Sequence, residues 1–259
     1  MVASFYPLYF FASTIGGDQA TVENLTPAGA EPHDYELTPK DIVRLSQSQL
    51  IIFNGNVEPW VDKIKNSVAG KPVVLVEAAE NLATATDPHV WLDPVLAQQE
   101  ADAVLKGFIQ ADPAHADEYT RRAQGLKKEF SVLDQEYRTG LAQCQKKDFV
   151  TSHAAFGYLA SRYQLHQVSI AGISRDEEPS AKALADIAAF VRKNNIQYIF
   201  FESLVSPKLS ETIANEVGAK TLVLNPIEGL TDEELVAGKN YFTAMRENLV
   251  NLRLALECQ

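Results

Sequence analysis

Short runs of apolar and β-branched residues alternate along the chain with stretches whose apolar positions recur every three or four residues. The first pattern predicts buried strands and the second amphipathic helices; their alternation predicts βα units around parallel sheets. In the first half the strand-like runs are residues 2–4, 21–25, 50–53 and 72–76, and in the second half 149–151, 167–170, 198–202 and 221–224. Helical patterns fall between them at 38–48, 59–68, 94–109, 180–193 and 206–216. Four strands followed by four more predict two similarly built α/β lobes, with no sequence repeat between the halves. The opening residues, Met1 to Phe10, enter a predicted buried strand at once, with no basic segment or cleavage site ahead of it.

The middle of the chain breaks this rhythm. Asp112-Pro113 is an N-cap followed by proline at the first helical position, a strong start signal. From there to residue 143 only Gly125 and Gly140 interrupt a helical pattern. About 30 residues at 1.5 Å each make a helix of about 45 Å, longer than an ordinary globular helix. Glu118, Arg121, Arg122, Lys127, Lys128, Glu129, Asp134 and Glu136 charge one face, while Phe130, Leu133, Tyr137 and Leu141 recur at helical spacing on another. Such a helix either packs along one lobe or connects two, and the equal strand counts favour the connector. The expected organisation is therefore an N-terminal α/β lobe at 1–111, one long rigid connecting helix at 112–143 and a C-terminal α/β lobe at 144–259, each lobe with a four-stranded, mainly parallel sheet. A continuous helix is stiffer than a two-strand hinge, so little lobe closure is expected on ligand binding.

Composition narrows the function. The chain has 259 residues, 46% hydrophobic and 22% charged, enough for two cores. Its net charge of −11 argues against a nucleic-acid surface, which requires a basic patch. No apolar run approaches the roughly 20 residues of a membrane helix. Cys144 and Cys258 are too far apart for a CxxC site. They form either a structural disulfide, which would imply an extracytoplasmic protein, or two free thiols.

The candidate chemistry lies in three of the five histidines. His33 stands in Glu31-Pro32-His33-Asp34-Tyr35-Glu36, His89 in Asp87-Pro88-His89-Val90-Trp91-Leu92-Asp93-Pro94, and His153 in Thr151-Ser152-His153-Ala154-Ala155-Phe156-Gly157-Tyr158. Each is placed beyond the carboxyl end of a predicted parallel strand, where open α/β sheets hold their ligands. Glu228, in Asn225-Pro226-Ile227-Glu228-Gly229-Leu230-Thr231, occupies the matching place after the eighth strand. Three imidazoles and one carboxylate satisfy tetrahedral zinc. Two ligands from each half point to a site in the cleft between lobes. His115 and His166 read as ordinary surface or packing residues. Asp87 and Asp93 each have the position to orient the His89 ring through its second nitrogen, although Asp93-Pro94 also reads as a helix start, the better reading. Glu202, ending a strand, either supports a ligand or caps the next helix.

Together these segments, with Phe201-Glu202-Ser203, resemble the metal-specific solute-binding proteins of bacterial ABC importers, the cluster A-I family, in its zinc-binding ZnuA-type branch. The resemblance covers essentially the whole chain. It implies two α/β lobes joined by a long helix, with metal ligation by His33, His89, His153 and Glu228. Manganese-binding relatives carry a carboxylate where His153 stands, and a three-imidazole site suits zinc better than the harder manganese ion. Ligand affinity alone would also admit copper, nickel or cobalt. Two departures stand out. Many zinc-binding relatives have a long His- and Asp-rich loop before the second histidine, whereas residues 77–87 here are few and contain no histidine. Whether that loop is naturally absent or has been removed stays open, and no scavenging or sensing role is carried over with it. Some relatives complete the site with water or with a carboxylate just before the first histidine; proline holds that position here, leaving Glu228 as the fourth ligand and Glu31 or water as the alternatives.

The resemblance implies a monomeric extracytoplasmic protein, periplasmic or lipid-anchored with its targeting segment absent from this chain, that captures Zn2+ and delivers it to an ABC permease. Zinc is then cargo, not a catalytic cofactor, and no enzyme activity is expected. The competing expectations are a zinc hydrolase with three histidine ligands and Glu228 as general base, and an adhesin built on the same fold. Against the hydrolase, the sequence holds no HExxH, nucleophile elbow or glycine-rich phosphate loop.

Overall fold

The computed structural model describes every residue except 85, 173–179 and 205–206. The strands in chain order are β1 (Val2–Ala3), β2 (Glu23–Asn24), β3 (Leu50–Phe53), β4 (Val74–Glu77), β5 (Asp148–Thr151), β6 (His166–Ser169), β7 (Tyr198–Phe201) and β8 (Lys220–Val223). The first five helices are α1 (Tyr6–Gly16), α2 (Pro39–Gln47), α3 (Val61–Ser67), α4 (Pro94–Ala111) and α5 (Ala116–Leu141). They are followed by α6 (Gly157–Arg162), α7 (Ala181–Lys193), α8 (Lys208–Val217), α9 (Asp232–Val236) and α10 (Tyr241–Ala255). Two four-stranded sheets result, ordered β2-β1-β3-β4 and β6-β5-β7-β8, with every pairing parallel. The α/β class and the two-sheet organisation are as expected. The helix expected at 206–216 begins at Lys208, and residue 206 lies outside the described residues.

The chain divides into two compact units, Met1–Val132 with Ile227–Tyr241, and Leu133–Pro226 with Phe242–Gln259. These differ from the consecutive segments 1–111, 112–143 and 144–259. The 26-residue α5 is not a body of its own: it carries the chain from the first unit into the second. Residues 227–241 return to the first unit for a packing reason. Gly29 donates its N–H to the Leu230 carbonyl at 3.1 Å. The Tyr241 hydroxyl donates to the Trp91 carbonyl, and its ring stands edge-on to Phe11 and Phe130.

In the first unit Val2, Leu25, Leu45, Ile51, Phe53, Trp60 and Ile64 form one core cluster. Phe5 and Trp91 pack with ring centroids 4.8 Å apart, and Phe11, Phe130 and Tyr241 pack edge-on against one another. Helix α4 lies directly on β4 at Gly107, where a Cβ would come within 2.4 Å of the Val76 side chain. In the second unit Val150, Ile187, Val191, Ile199 and Ile213 fill the core. There α5 and α10 approach closely at Gly140, where a Cβ would stand 3.2 Å from Leu249.

Two sequence expectations change. The opening segment contributes only Val2–Ala3 to a strand, and the residues after Phe5 form α1. Its dense aromatic content mimics a strand. Pro7, however, sits in the first helical turn, where its missing N–H costs nothing. Leu8, Phe11, Ala12 and Ile15 share a buried face at helical spacing, and the aromatic Tyr9 and Phe10, half-buried on the other side, hide that periodicity in the sequence. The start of the long helix is also modified: Asp112-Pro113 opens a 3-10 turn, Pro113–His115, before α5. Asp112 accepts from His115 Nδ1 and the Tyr119 hydroxyl, each at 2.7 Å.

Cys144 and Cys258 are disulfide-bonded, closing the second unit on itself across 114 residues. Among the described residues no helix is long and apolar enough to cross a membrane.

Candidate metal centre

His89 enters its position between a strand end and a helix start. Asp93 caps α4, accepting from the Val95 N–H at 2.8 Å and the Leu96 N–H at 3.4 Å. That makes Asp93 the helix start, as the proline after it suggested. Asp87 is the residue that orients the ring. Its Oδ1 accepts from the His89 backbone N–H at 3.0 Å and from Nδ1 at 2.8 Å. With Nδ1 engaged, Nε2 points to Glu228 Oε1 at 3.1 Å, and both side chains are fully buried.

His33 reaches the same carboxylate oxygen from the loop between β2 and α2. Its Nε2 is 3.3 Å from Glu228 Oε1, its side chain is 21% exposed, and its ring centroid lies 5.5 Å from that of His89. The loop is pinned just beyond it, where the Tyr35 hydroxyl donates to Asp41 Oδ2 at 2.9 Å. Asp41 also closes the capping box with Thr38 that starts α2.

Glu228 follows Ile227, whose φ of 60° is left-handed. For a β-branched residue that backbone is strained by about 1–2 kcal/mol, and complete burial of the Ile227 side chain holds it there. Thr231 and Glu234 form the capping box of α9 immediately downstream. The sequence placed Glu228 in the second half, giving two ligands per half. The structure corrects this: Glu228 belongs to the first unit with His33 and His89.

The ligand atoms of His33, His89 and Glu228 all lie within 4.8 Å of one another. Zinc bonds of about 2.0–2.1 Å at tetrahedral angles place neighbouring ligand atoms about 3.3 Å apart. The two histidine–carboxylate separations of 3.3 and 3.1 Å have that length. Without metal, the same contacts are charge-assisted hydrogen bonds. Burial opposes a charge on His89, but hydrogen bonds to Asp87 and Glu228, reinforced by their negative charges, prevail and push its pKa up to about 9. A cation is thus favoured at this point, whether proton or metal.

His153 lies in the second unit, just past the carboxyl end of β5, and is buried. Its carbonyl accepts from Thr151 Oγ1 at 2.7 Å and Gln167 Nε2 at 2.8 Å. Its Nδ1 donates to Glu202 Oε1, which also accepts from Ser152 Oγ. Glu202 therefore holds an imidazole. Asp87–His89 and Glu202–His153 are the same device, one in each unit. The roles of Gln167 and of Ser152, which stands in the His153 motif, carry no local signal in the sequence; they arise from adjacency of β5, β6 and β7. His115 and His166 stand apart, as expected. His115 pairs with Asp112 on the surface, and His166, 75% exposed, is 3.4 Å from Asp148.

The chain resembles known proteins along its whole length. A family model described as ZnuA, zinc-uptake complex component A periplasmic, matches residues 1–255. The high-affinity zinc uptake system protein ZnuA of Bacillus subtilis (strain 168) is 39% identical over 277 residues, covering 99% of this chain and 87% of that protein. The zinc-binding lipoprotein AdcA of Streptococcus pneumoniae serotype 4 is 37% identical over 274 residues, and the match covers 98% of this chain but only 55% of the relative. Among solved structures, the Zn(II)-bound ZnuA-like domain of Streptococcus pneumoniae AdcA superposes with a TM-score of 0.88 at 39% identity, covering 99% of this chain and 98% of that one. With the fold, the paired carboxylate–imidazole devices and these matches together, the chain belongs to the ZnuA family, the periplasmic component A of zinc-uptake complexes.

Proposed function

We propose that this protein captures one zinc ion through His33, His89, His153 and Glu228 and delivers it to the membrane permease of a zinc importer. The observation that carries the reading is the convergence of His33 Nε2 and His89 Nε2 on Glu228 Oε1, at 3.3 and 3.1 Å. His153 is the fourth ligand in this reading because Glu202 occupies its Nδ1 as Asp87 occupies that of His89, leaving Nε2 as the ligating nitrogen in both. Three imidazoles and a carboxylate close the coordination shell, as in non-catalytic zinc sites. Glu228 makes short contacts to two histidine nitrogens, a ligand's place and not that of a base poised on water. That favours transport over hydrolysis. The family's periplasmic description supports a role outside the cytoplasm, and the lipoprotein description of a relative extends the reading to a lipid anchor.

Competition titration on the parent, His153→Ala and Glu228→Ala tests the ligand set. One tight zinc per chain, weakened strongly by His153→Ala and measurably by Glu228→Ala, supports it. Undiminished binding in Glu228→Ala would return the fourth position to Glu31 or water, and no tight zinc in the parent would end the reading. Loss of zinc-limited growth on deleting the gene would place the protein in transport; intact growth with lost surface attachment would favour adhesion.

A further inference from the structure

We infer that Asn54 is a positioning residue for zinc binding, acting on His89 through the Pro88 carbonyl. The inference rests on His89 being a zinc ligand, as proposed above.

Asn54 immediately follows β3 and is 1% exposed. Its side-chain Nδ2 donates to the Pro88 carbonyl at 3.1 Å. Proline has no N–H, so this carbonyl is the only polar main-chain group through which Pro88 can be held. The same oxygen accepts the Val90 N–H at 2.8 Å. The two donors thus bracket His89, one from the sheet and one from the residue after it.

The main chain that carries this side chain is itself tied down. Glu58, 6% exposed, accepts from the Asn54 N–H at 2.8 Å, the Gly55 N–H at 3.0 Å and the Ser4 hydroxyl. Ser4 follows β1, and its carbonyl accepts from the Thr26 N–H at 3.0 Å and the Thr26 hydroxyl at 2.7 Å. Glu58 therefore ties together the chain just past the carboxyl ends of β1 and β3, and Asn54 transmits that fixed point to Pro88. Asp87 sets the rotation of the imidazole, but its contacts to His89 lie within the same short segment. They cannot by themselves fix where that segment stands relative to the sheet. Asn54 supplies that anchor.

A purely structural amide would affect stability in proportion to a lost buried hydrogen bond and leave the metal preference alone. A positioning amide changes affinity only while His89 is present. The test measures zinc affinity by competition in the parent, Asn54→Asp, His89→Ala and the double variant. Cobalt(II) absorption and melting of the metal-free protein are followed alongside. Asn54→Asp keeps the side-chain shape but loses the donor to Pro88.

The expected result is an affinity loss of about tenfold or more in Asn54→Asp, an altered cobalt spectrum, and an effect within about twofold when His89 is already alanine. Should Asn54→Asp fail to fold, Asn54→Ser carries the same comparison with a small neutral side chain. Unchanged affinity with lowered melting, or equal losses in both backgrounds, would overturn the inference. A parent without tight zinc, or His89→Ala binding as the parent does, would overturn the ligand reading itself and this inference with it.

Discussion

Asp87 holds the main chain and the ring of His89 with a single oxygen, accepting the backbone N–H at 3.0 Å and Nδ1 at 2.8 Å. One carboxylate thereby fixes how the ring is turned on its own segment and which nitrogen faces Glu228. Glu202 does the corresponding work for the His153 ring, joined by Ser152.

Removing either carboxylate should weaken zinc binding without removing a ligand. Asp87→Ala and Glu202→Ala are each expected to lower affinity by about 10–100-fold, the usual effect of losing an imidazole's hydrogen-bond partner. Competition titration measures the change. Affinities equal to the parent's in both variants would show that the rings are oriented by packing alone.

Zinc uptake should release a proton. His89 carries one in the metal-free protein up to a pKa of about 9, so near neutral pH zinc must displace it. Apparent affinity should then rise about tenfold per pH unit through the neutral range from this group alone and level off above the His89 pKa. Calorimetric titrations in buffers of different ionisation enthalpy should give heats differing by about one proton per zinc. Identical heats would contradict protonation of His89 in the metal-free state. The same raised pKa stabilises the metal-free fold fully below the ordinary histidine value of 6.5, and that contribution disappears as pH rises through about 9.

Glu100 on α4 is completely buried, and burial, with the Glu58 charge adding to it, raises its pKa well above 4.5. The folded protein keeps this proton where the unfolded chain has lost it, so stability should fall as pH rises from 4.5 towards the folded-state pKa. Glu100→Gln removes the titration. Urea denaturation at mildly acidic and mildly alkaline pH should show a flatter dependence in the variant, with its advantage over the parent growing as pH rises. Parallel profiles would refute the assignment.

The disulfide should matter to folding more than to metal chemistry. Cys144 and Cys258 close a loop with a sequence separation of 114 in the second unit. The chain-entropy relation gives about 4–5 kcal/mol for a loop of that size, an upper figure if the reduced chain keeps residual structure. Reducing the bond, or Cys144→Ser with Cys258→Ser, should lower the denaturation midpoint substantially while zinc stoichiometry in the folded protein stays at one. An unchanged midpoint would show that α5 and α10 hold this end of the unit without it.

Much of this molecule was legible in the sequence because its signals are local. The run at Leu50–Phe53 is apolar and β-branched, and it forms the strand with the expected bounds. Asp93-Pro94 announces α4. The histidines stand out for a similar reason: each lies inside a distinctive motif in the connection that follows a strand. Where the local signal misled, in the opening run, the half-buried Tyr9 and Phe10 had masked the helical spacing of Leu8, Phe11, Ala12 and Ile15.

Sequence alone determined the alternating strands and helices, the parallel class of the sheets and the candidates His33, His89, His153 and Glu228. Tertiary structure decided that Glu228 packs with the first unit, that Cys144 bonds Cys258, that Glu202 serves His153, and that Asn54 reaches Pro88. The reason is range. Periodicity and capping act over a few residues and leave their mark in the order of the letters. Glu228 and His89 are 139 positions apart, and Glu202 and His153 are 49 apart. Such partners meet only through the packing of whole elements, which no short stretch of sequence records.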